Sequence, residues 1–289
     1  LLVAGARFVI SGLLIFAWVS ARGVRLPRMK LWLPVATIGV PLVAITYGFL
    51  FWAQQTVPSG LAALFYALTP IWMVLFDWIS PKGTLPAWPT QAGIGLGITG
   101  VALLVNPDGL QNSNGIHPAG AGLLLVSTIC WSLGSIWSRH VPQPHSRAQT
   151  ASIMMISGGV LLLLVSLFTG EIHDLNLASI STKSWLALAY LVLVCLIGHP
   201  AYIWLLSVSS ASRVATYAFV NPIVALFLGM LLADETLSLR SVICSVVVIS
   251  SVMIIVLTGQ HRETASVDRT DLSHVTKHVS HRENNSYVG

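Results

Sequence analysis

Nine long apolar stretches alternate with short polar segments along the 289-residue chain, at about 2–21, 32–53, 60–79, 89–106, 118–138, 149–169, 185–206, 213–232 and 240–258. Each approaches the roughly 20 mostly apolar residues that a helix needs to cross a bilayer. Continuous runs of this length predict spanning helices, because barrel strands are shorter and alternate in polarity. Asn106 to Pro118 is a polar, turn-rich link with Pro107, Asp108-Gly109 and Asn114-Gly115. Beyond Gly259 the segment Gln260 to Gly289 is polar and charged, too poor in apolar residues to fold alone. The expected organisation is a first unit at 1–106, a linker at 107–117, a second unit at 118–258 and a disordered tail at 259–289.

The two units look like copies of one another. A shift of 152 residues places Leu68-Thr69-Pro70-Ile71 on Val220-Asn221-Pro222-Ile223, Trp52 on Trp204, and Thr84-Leu85 on Thr236-Leu237, with no gap. Four spans precede the link and five follow it, and the chain opens on Leu1 inside an apolar run. The simplest expectation is a first helix, equivalent to 118–138, that this chain lacks. The expected fold is then an all-α membrane protein with nine visible transmembrane helices of a ten-helix, five-plus-five arrangement. An odd number of spans per unit makes the second unit enter the membrane inverted, the repeat pattern of secondary transporters.

Charge tests the segmentation. Alternating spans put Arg22, Arg25, Arg28, Lys30, Lys82, Arg139, Arg147 and Arg213 on one side, with Arg262, Arg269, Lys277 and Arg282 of the tail. Only Lys183 and Arg240 fall on the other side. This bias marks the richer side as cytoplasmic and places the C-terminus there. Composition agrees: 55% of residues are apolar and only 9% charged, against about 25% charged in soluble domains. Mean hydropathy is +0.79. The net charge of +5 therefore sets orientation and does not point to nucleic acid. Cys130, Cys195 and Cys244 are isolated within apolar runs, a spacing that suits neither zinc nor a disulfide framework.

The candidate chemistry is polar and aromatic, not catalytic. Pro70 and Pro222 each free a carbonyl that needs another partner, and Thr69 and Asn221 directly precede them. They mark expected helix kinks beside a cavity, with static kinks as the alternative. Tyr66 and Thr69 share one helical face, as do Tyr217 and Asn221. Polar groups on membrane helices turn inward far more often than toward lipid. Of ten tryptophans, Trp131 lies mid-span beside Ser132 and Ser135. Trp32, Trp88 and Trp185 sit at span ends as interface anchors, and Trp52, Trp78, Trp137 and Trp204 fit either place. A central aromatic wall suits amphipathic or partly cationic organic solutes. His199-Pro200 lies inside a span with Tyr202 shortly after, a third kink candidate and a candidate proton-coupling group. Arg7 either meets an anionic solute group or snorkels outward, the simpler expectation. Tail residues His274, His278 and His281 would share a helical face that could hold a metal, but a solvated tail is the simpler reading. No phosphate loop, H-E-x-x-H or G-x-S-x-G motif occurs. No cofactor, metal site or enzyme activity is expected.

Val57-Pro58-Ser59-Gly60-Leu61-Ala62-Ala63-Leu64, Leu68-Thr69-Pro70-Ile71, Ala215-Thr216-Tyr217-Ala218-Phe219-Val220-Asn221-Pro222-Ile223 and Asp234-Glu235-Thr236-Leu237 resemble the EamA family of the drug/metabolite transporter superfamily. The resemblance covers about residues 1–258 and is nearest to its YedA-like branch of bacterial inner-membrane exporters. It implies two inverted five-helix repeats around a central cavity, lined here by the spans at 32–53, 60–79, 118–138, 185–206 and 213–232. It also implies export of amino acids, related metabolites or drugs across the bacterial inner membrane by alternating access, with protons a candidate coupling ion. Gly83 stands where the second repeat has Glu235, and Cys244-Ser245 replaces the family's usual glycine early in the last helix. The alternatives are a membrane sensor or scaffold that transports nothing, and an incomplete, inactive transporter.

Overall fold

The computed structural model describes residues 1–79, 85–104, 118–171, 180–209, 214, 217–232, 239 and 242–258. The link, the tail with its three histidines, and the Thr84-Leu85 and Thr236-Leu237 pairs lie wholly or partly outside these residues. The described residues are helical, without strands, and follow the nine expected spans. α1 is Leu2–Ala21. The second span runs from α2 (Met29–Gly39) through a π-helical turn, Val40–Ile45, into α3 (Thr46–Ala53). The third is split into α4 (Ser59–Tyr66) and α5 (Thr69–Ile79). Then come α6 (Trp88–Leu104), α7 (Pro118–His140), α8 (Arg147–Phe168), α9 (Thr182–Val208), α10 (Tyr217–Leu232) and α11 (Val242–Thr258).

Local chemistry sets several ends. α1 stops at Gly23 and α8 at Gly170, whose φ angles of 76° and 83° are left-handed. In each case two backbone bonds close the last turn, Gly23 N–H to Ser20 and Val24 N–H to Val19, then Gly170 N–H to Leu167 and Glu171 N–H to Ser166. That paired pattern is the glycine-dependent helix stop. Ser146 and Ser181 cap the starts of α8 and α9, accepting from the backbone N–H groups of Gln149 and Ser184.

The packing brings the two halves of the chain together. Each span of the first half touches the one 152 residues on. α1 lies along α8 and α4 along α10. Tyr47 of α3 meets His199 of α9, two residues 152 apart in number, at 6.0 Å between ring centres. Gly93, Gly97 and Gly100 of α6 lie against Ser251, Ile255 and Val248 of α11. These four contacts place the halves face to face about a common centre.

Small residues make the close crossings. A Cβ on Gly12 would meet Ile156 Cγ1 at 2.7 Å, and one on Gly159 would meet Phe8 Cβ at 2.9 Å. In lipid, where apolar surface alone gives no drive to associate, such close backbone approach is what holds helices together. α7 stands between two apolar packing groups. Leu124 and Ala121 pack with α4 and α11, and Trp131 packs with α1, α8 and α9.

Candidate functional site

One face of α7 builds the centre of the bundle. Ser127, Thr128, Trp131, Ser132, Ser135 and Ser138 recur at helical spacing and all are buried. Thr128, Ser132, Ser135 and Ser138 donate back to carbonyls of their own helix, at 2.7–2.9 Å. That satisfies their hydroxyls where water is excluded. The same groups also reach across to neighbours. Ser127 donates to the Thr46 carbonyl at 2.7 Å, while Thr46 donates to the Ser127 carbonyl at 3.2 Å.

The π-helical turn positions Thr46 for this exchange. Its extra residue per turn lets the Thr46 hydroxyl also reach the Pro41 carbonyl, five residues back, at 2.7 Å. Such turns recur at functional sites. Directly after it, Tyr47 enters a column of rings. Phe8 and Tyr47 lie 4.6 Å apart, Phe8 and His199 5.1 Å, Tyr47 and Trp131 6.1 Å, and Trp131 and Tyr202 4.9 Å. Tyr202 and Tyr217 meet edge-on at 6.0 Å. The indole N–H of Trp131 donates to the Tyr217 hydroxyl at 3.1 Å, and the Tyr202 and Ser135 hydroxyls share a bond of 2.7 Å. Trp131 and His199 are each 7% exposed, so the rings fill the centre.

Of the residues singled out in sequence, Trp131, His199, Tyr202 and Tyr217 therefore come together directly. Tyr66 and Thr69 join through α7, the Tyr66 hydroxyl to Ser127 at 2.6 Å and the Thr69 carbonyl accepting from Ser132 at 3.3 Å. Asn221 does not join them. It is exposed, one turn beyond Tyr217 on α10. Trp52, Trp78, Trp137 and Trp204 are all more than 40% exposed, so they face outward.

The prolines differ. Pro70 opens α5 after the break at Ala67–Leu68, and the Thr69 hydroxyl donates at 2.6 Å to the Tyr66 carbonyl. That carbonyl is the acceptor four residues back that a proline cannot serve. Pro200 and Pro222 lie inside the unbroken helices α9 and α10.

Arg7 departs from the simpler expectation. It does not snorkel: it is 6% exposed, with its guanidinium carbon 4.7 Å from the Phe8 ring centre, 4.6 Å from Tyr47 and 5.0 Å from Phe51. Its neighbours on other helices decide this, and no local pattern reveals them. Tyr47 was detectable as the counterpart of His199 in the repeat. Phe8, Thr46 and Ser127 carried no signal beyond being apolar or small.

On the basic side the column leads toward a cleft of about 480 Å³ lined by Ser138, Arg139, Gln143, His145, Arg147 and Ser207 among others. Ser138 lies one turn along α7 from Ser135, so the cleft starts where the ring column ends. Arg139 donates to the carbonyls of Leu206 and Ser209, and Arg147 to the Gln143 side chain. Both cations are thereby held at the mouth. Among the described residues no group of three or more His, Cys, Asp or Glu could hold a metal ion.

The EamA-like transporter family model matches residues 1–106 and again 118–257. The chain belongs to that family. Its role is membrane transport, and the double match falls on the two halves that face each other in the bundle. The EamA-like chain is 33% identical over 261 residues to the inner membrane transporter YedA of Escherichia coli K12, covering 89% of this chain and 81% of YedA. It is 23% identical over 268 residues to the transporter YvbV of Bacillus subtilis, covering 92% and 86%. A solved crystal structure of a protein 20% identical shares the fold at a TM-score of 0.61, covering 89% of this chain and 87% of the other.

Proposed function

We propose that this EamA-like protein is a secondary transporter that exports small organic solutes, namely amino acids, related metabolites or drugs, across the bacterial inner membrane by alternating access. The observation that carries the reading is the column of Tyr47, Trp131, His199, Tyr202 and Tyr217. It stands where the helices of the two halves meet, between a basic cleft and the opposite membrane face. Residues 1–106 and 118–258 act as two inverted repeats, and rocking of one against the other opens the column to each side in turn. The interruption at Pro70, where helix hydrogen bonding is already broken, is the proposed flexible point in the first repeat; its counterpart Pro222 stands in a continuous helix, and its missing N–H makes it the proposed bend of the second repeat. The basic cleft faces the cytoplasm, and so does the C-terminus, as the loop charges favour. Tyr66, Thr69, Trp131, His199, Tyr202 and Tyr217 form the proposed solute wall, with Asn221 reached only in a state that turns α10 inward.

Protons are the proposed coupling ion, with His199 as the titrating group. The charged and titratable groups around it are Arg7 on α1, Tyr47 on α3, and Cys195 and Tyr202 on its own helix.

The test is flux in inverted vesicles and proteoliposomes, using labelled amino acids and organic acids with and without a pH gradient. Accumulation that requires this protein and is lost in Trp131→Ala supports the reading. No flux across a broad panel, despite confirmed insertion, overturns it. Loss of the pH-gradient dependence in His199→Gln supports proton coupling, and an unchanged dependence removes His199 from it.

A further inference from the structure

We infer that Arg7 is an anion-binding group of the central column, so that the transported solute carries a carboxylate beside an apolar or aromatic body. The inference rests on the transport reading and deepens it by naming the solute's charge.

A cation inside a membrane bundle is costly and is kept where it meets a partner or lines a pathway. Arg7 has no salt bridge among the described residues. The carboxylate of Glu171 is taken up by the Leu2 N–H at 2.8 Å and the Ser166 hydroxyl at 2.9 Å. Two guanidinium nitrogens of Arg7, Nε and Nη2, are buried with no hydrogen-bond partner. The rings of Phe8, Tyr47 and Phe51 approach the guanidinium carbon to within 5.0 Å. Ring faces attract the positive charge but accept no directed N–H bond of ordinary strength. The N–H edge of Nε and a terminal nitrogen is the fork that binds a carboxylate in bidentate fashion.

A second orphan lies on the same rings. His199 Nε2 is also buried without a partner, and its ring lies 5.1 Å from Phe8 and 6.0 Å from Tyr47. Buried polar atoms are bonded in the large majority of cases, so two such groups flanking one pair of rings mark a place built for a ligand. The ring faces already hold a cation, so a cationic solute group would be repelled, while an anion bound to Arg7 offsets that charge and lets His199 take up a proton beside it. Of the amphipathic or partly cationic solutes expected from the sequence, the inference favours an amphipathic one whose polar end is anionic. The cleft at the far end of the column carries Arg139 and Arg147, a positive mouth that concentrates anions.

The decisive experiment uses three probes with one phenyl body: phenylacetate, phenylalanine and phenethylamine. Counterflow of each is measured in phosphatidylcholine proteoliposomes, and again with phosphatidylglycerol added. Wild type should move phenylacetate and phenylalanine but not phenethylamine. Arg7→Met should weaken phenylacetate binding by about tenfold or more, and Arg7→Lys, which keeps the charge but loses the fork, should fall between. Should Arg7→Met fail to fold, competition of benzoate against phenethylamine analogues on wild type, together with Arg7→Lys, carries the same distinction. Flux of phenethylamine with indifference to Arg7→Met overturns the inference and leaves the transport reading standing. Phenylacetate binding abolished by phosphatidylglycerol assigns Arg7 to a lipid phosphate and also overturns it. No movement of these or any broader solute panel removes the transport reading as well.

Discussion

The glycine crossings and the ring column are opposite solutions to packing inside a membrane. At the crossings the backbones of α1 and α8, or α6 and α11, approach so closely that a single added Cβ would meet neighbouring atoms at under 3.0 Å. In the column large rings touch at 4.6–6.3 Å and are tied by hydroxyl and indole bonds. On α1 and α8 the buried hydroxyls of Ser20 and Thr150 are also without a partner, but neither carries a charge. The column holds buried nitrogens on Arg7 and His199 that remain without partners. A helix crossing packed backbone to backbone has one good arrangement, whereas rings on separate helices can part, as the proposed solute wall requires. The scaffold is thus built from the smallest side chains and the proposed site from the largest.

The comparison breaks most readily at a crossing. Gly39 of α2 faces the Met154 carbonyl and the Ser157 hydroxyl of α8, with no room for a Cβ. Gly39→Val should cost about 3 kcal/mol or more by forcing the backbones apart. It should be read as loss of monodisperse protein on size exclusion and a lowered unfolding temperature in detergent. Wild-type behaviour would mean that the crossing yields easily. Next comes Thr69→Val, which leaves the Tyr66 carbonyl beside Pro70 without its hydroxyl donor. A cost of about 1–3 kcal/mol is expected from a buried unsatisfied acceptor, measured by the same unfolding assay. In the column itself, Tyr202→Phe keeps the ring and removes the bond to Ser135. Stability should fall by only about 1 kcal/mol while solute flux falls several-fold, a split that a purely structural role would not produce. The smallest effect belongs to Gly198→Ala, where nothing lies within 4 Å of an added Cβ. It should change stability by less than about 1 kcal/mol, with helix propensity favouring alanine.

The helical spans were legible because length and continuity of apolar residues depend only on the bilayer. The described helices follow every expected run. The break between α4 and α5 lies beside Thr69-Pro70, yet the matching Asn221-Pro222 stands in a continuous helix, so a proline and its polar neighbour do not by themselves mark a break. The π-helical turn at Val40–Ile45 was not legible, since its hydrogen-bond register leaves little mark beyond Pro41. The repeat was legible as order, but it misled at one point. Thr69 is buried and bonded whereas its counterpart Asn221 is exposed, so copied position did not mean copied environment. Arg7 shows the same limit from the other side. Whether a cation snorkels or stays buried depends on three rings contributed by two helices, α1 and α3, and sequence spacing does not bring those together.

The most direct test of alternating access is the reach of one column position from each side of the membrane. Ser135→Cys, in a background with Cys130, Cys195 and Cys244 replaced by alanine, would be exposed to a membrane-impermeant thiol reagent in right-side-out and inverted vesicles. The account predicts labelling from both sides, with a transported solute slowing it in each orientation. Labelling from the basic side alone, unchanged by any solute, would contradict it.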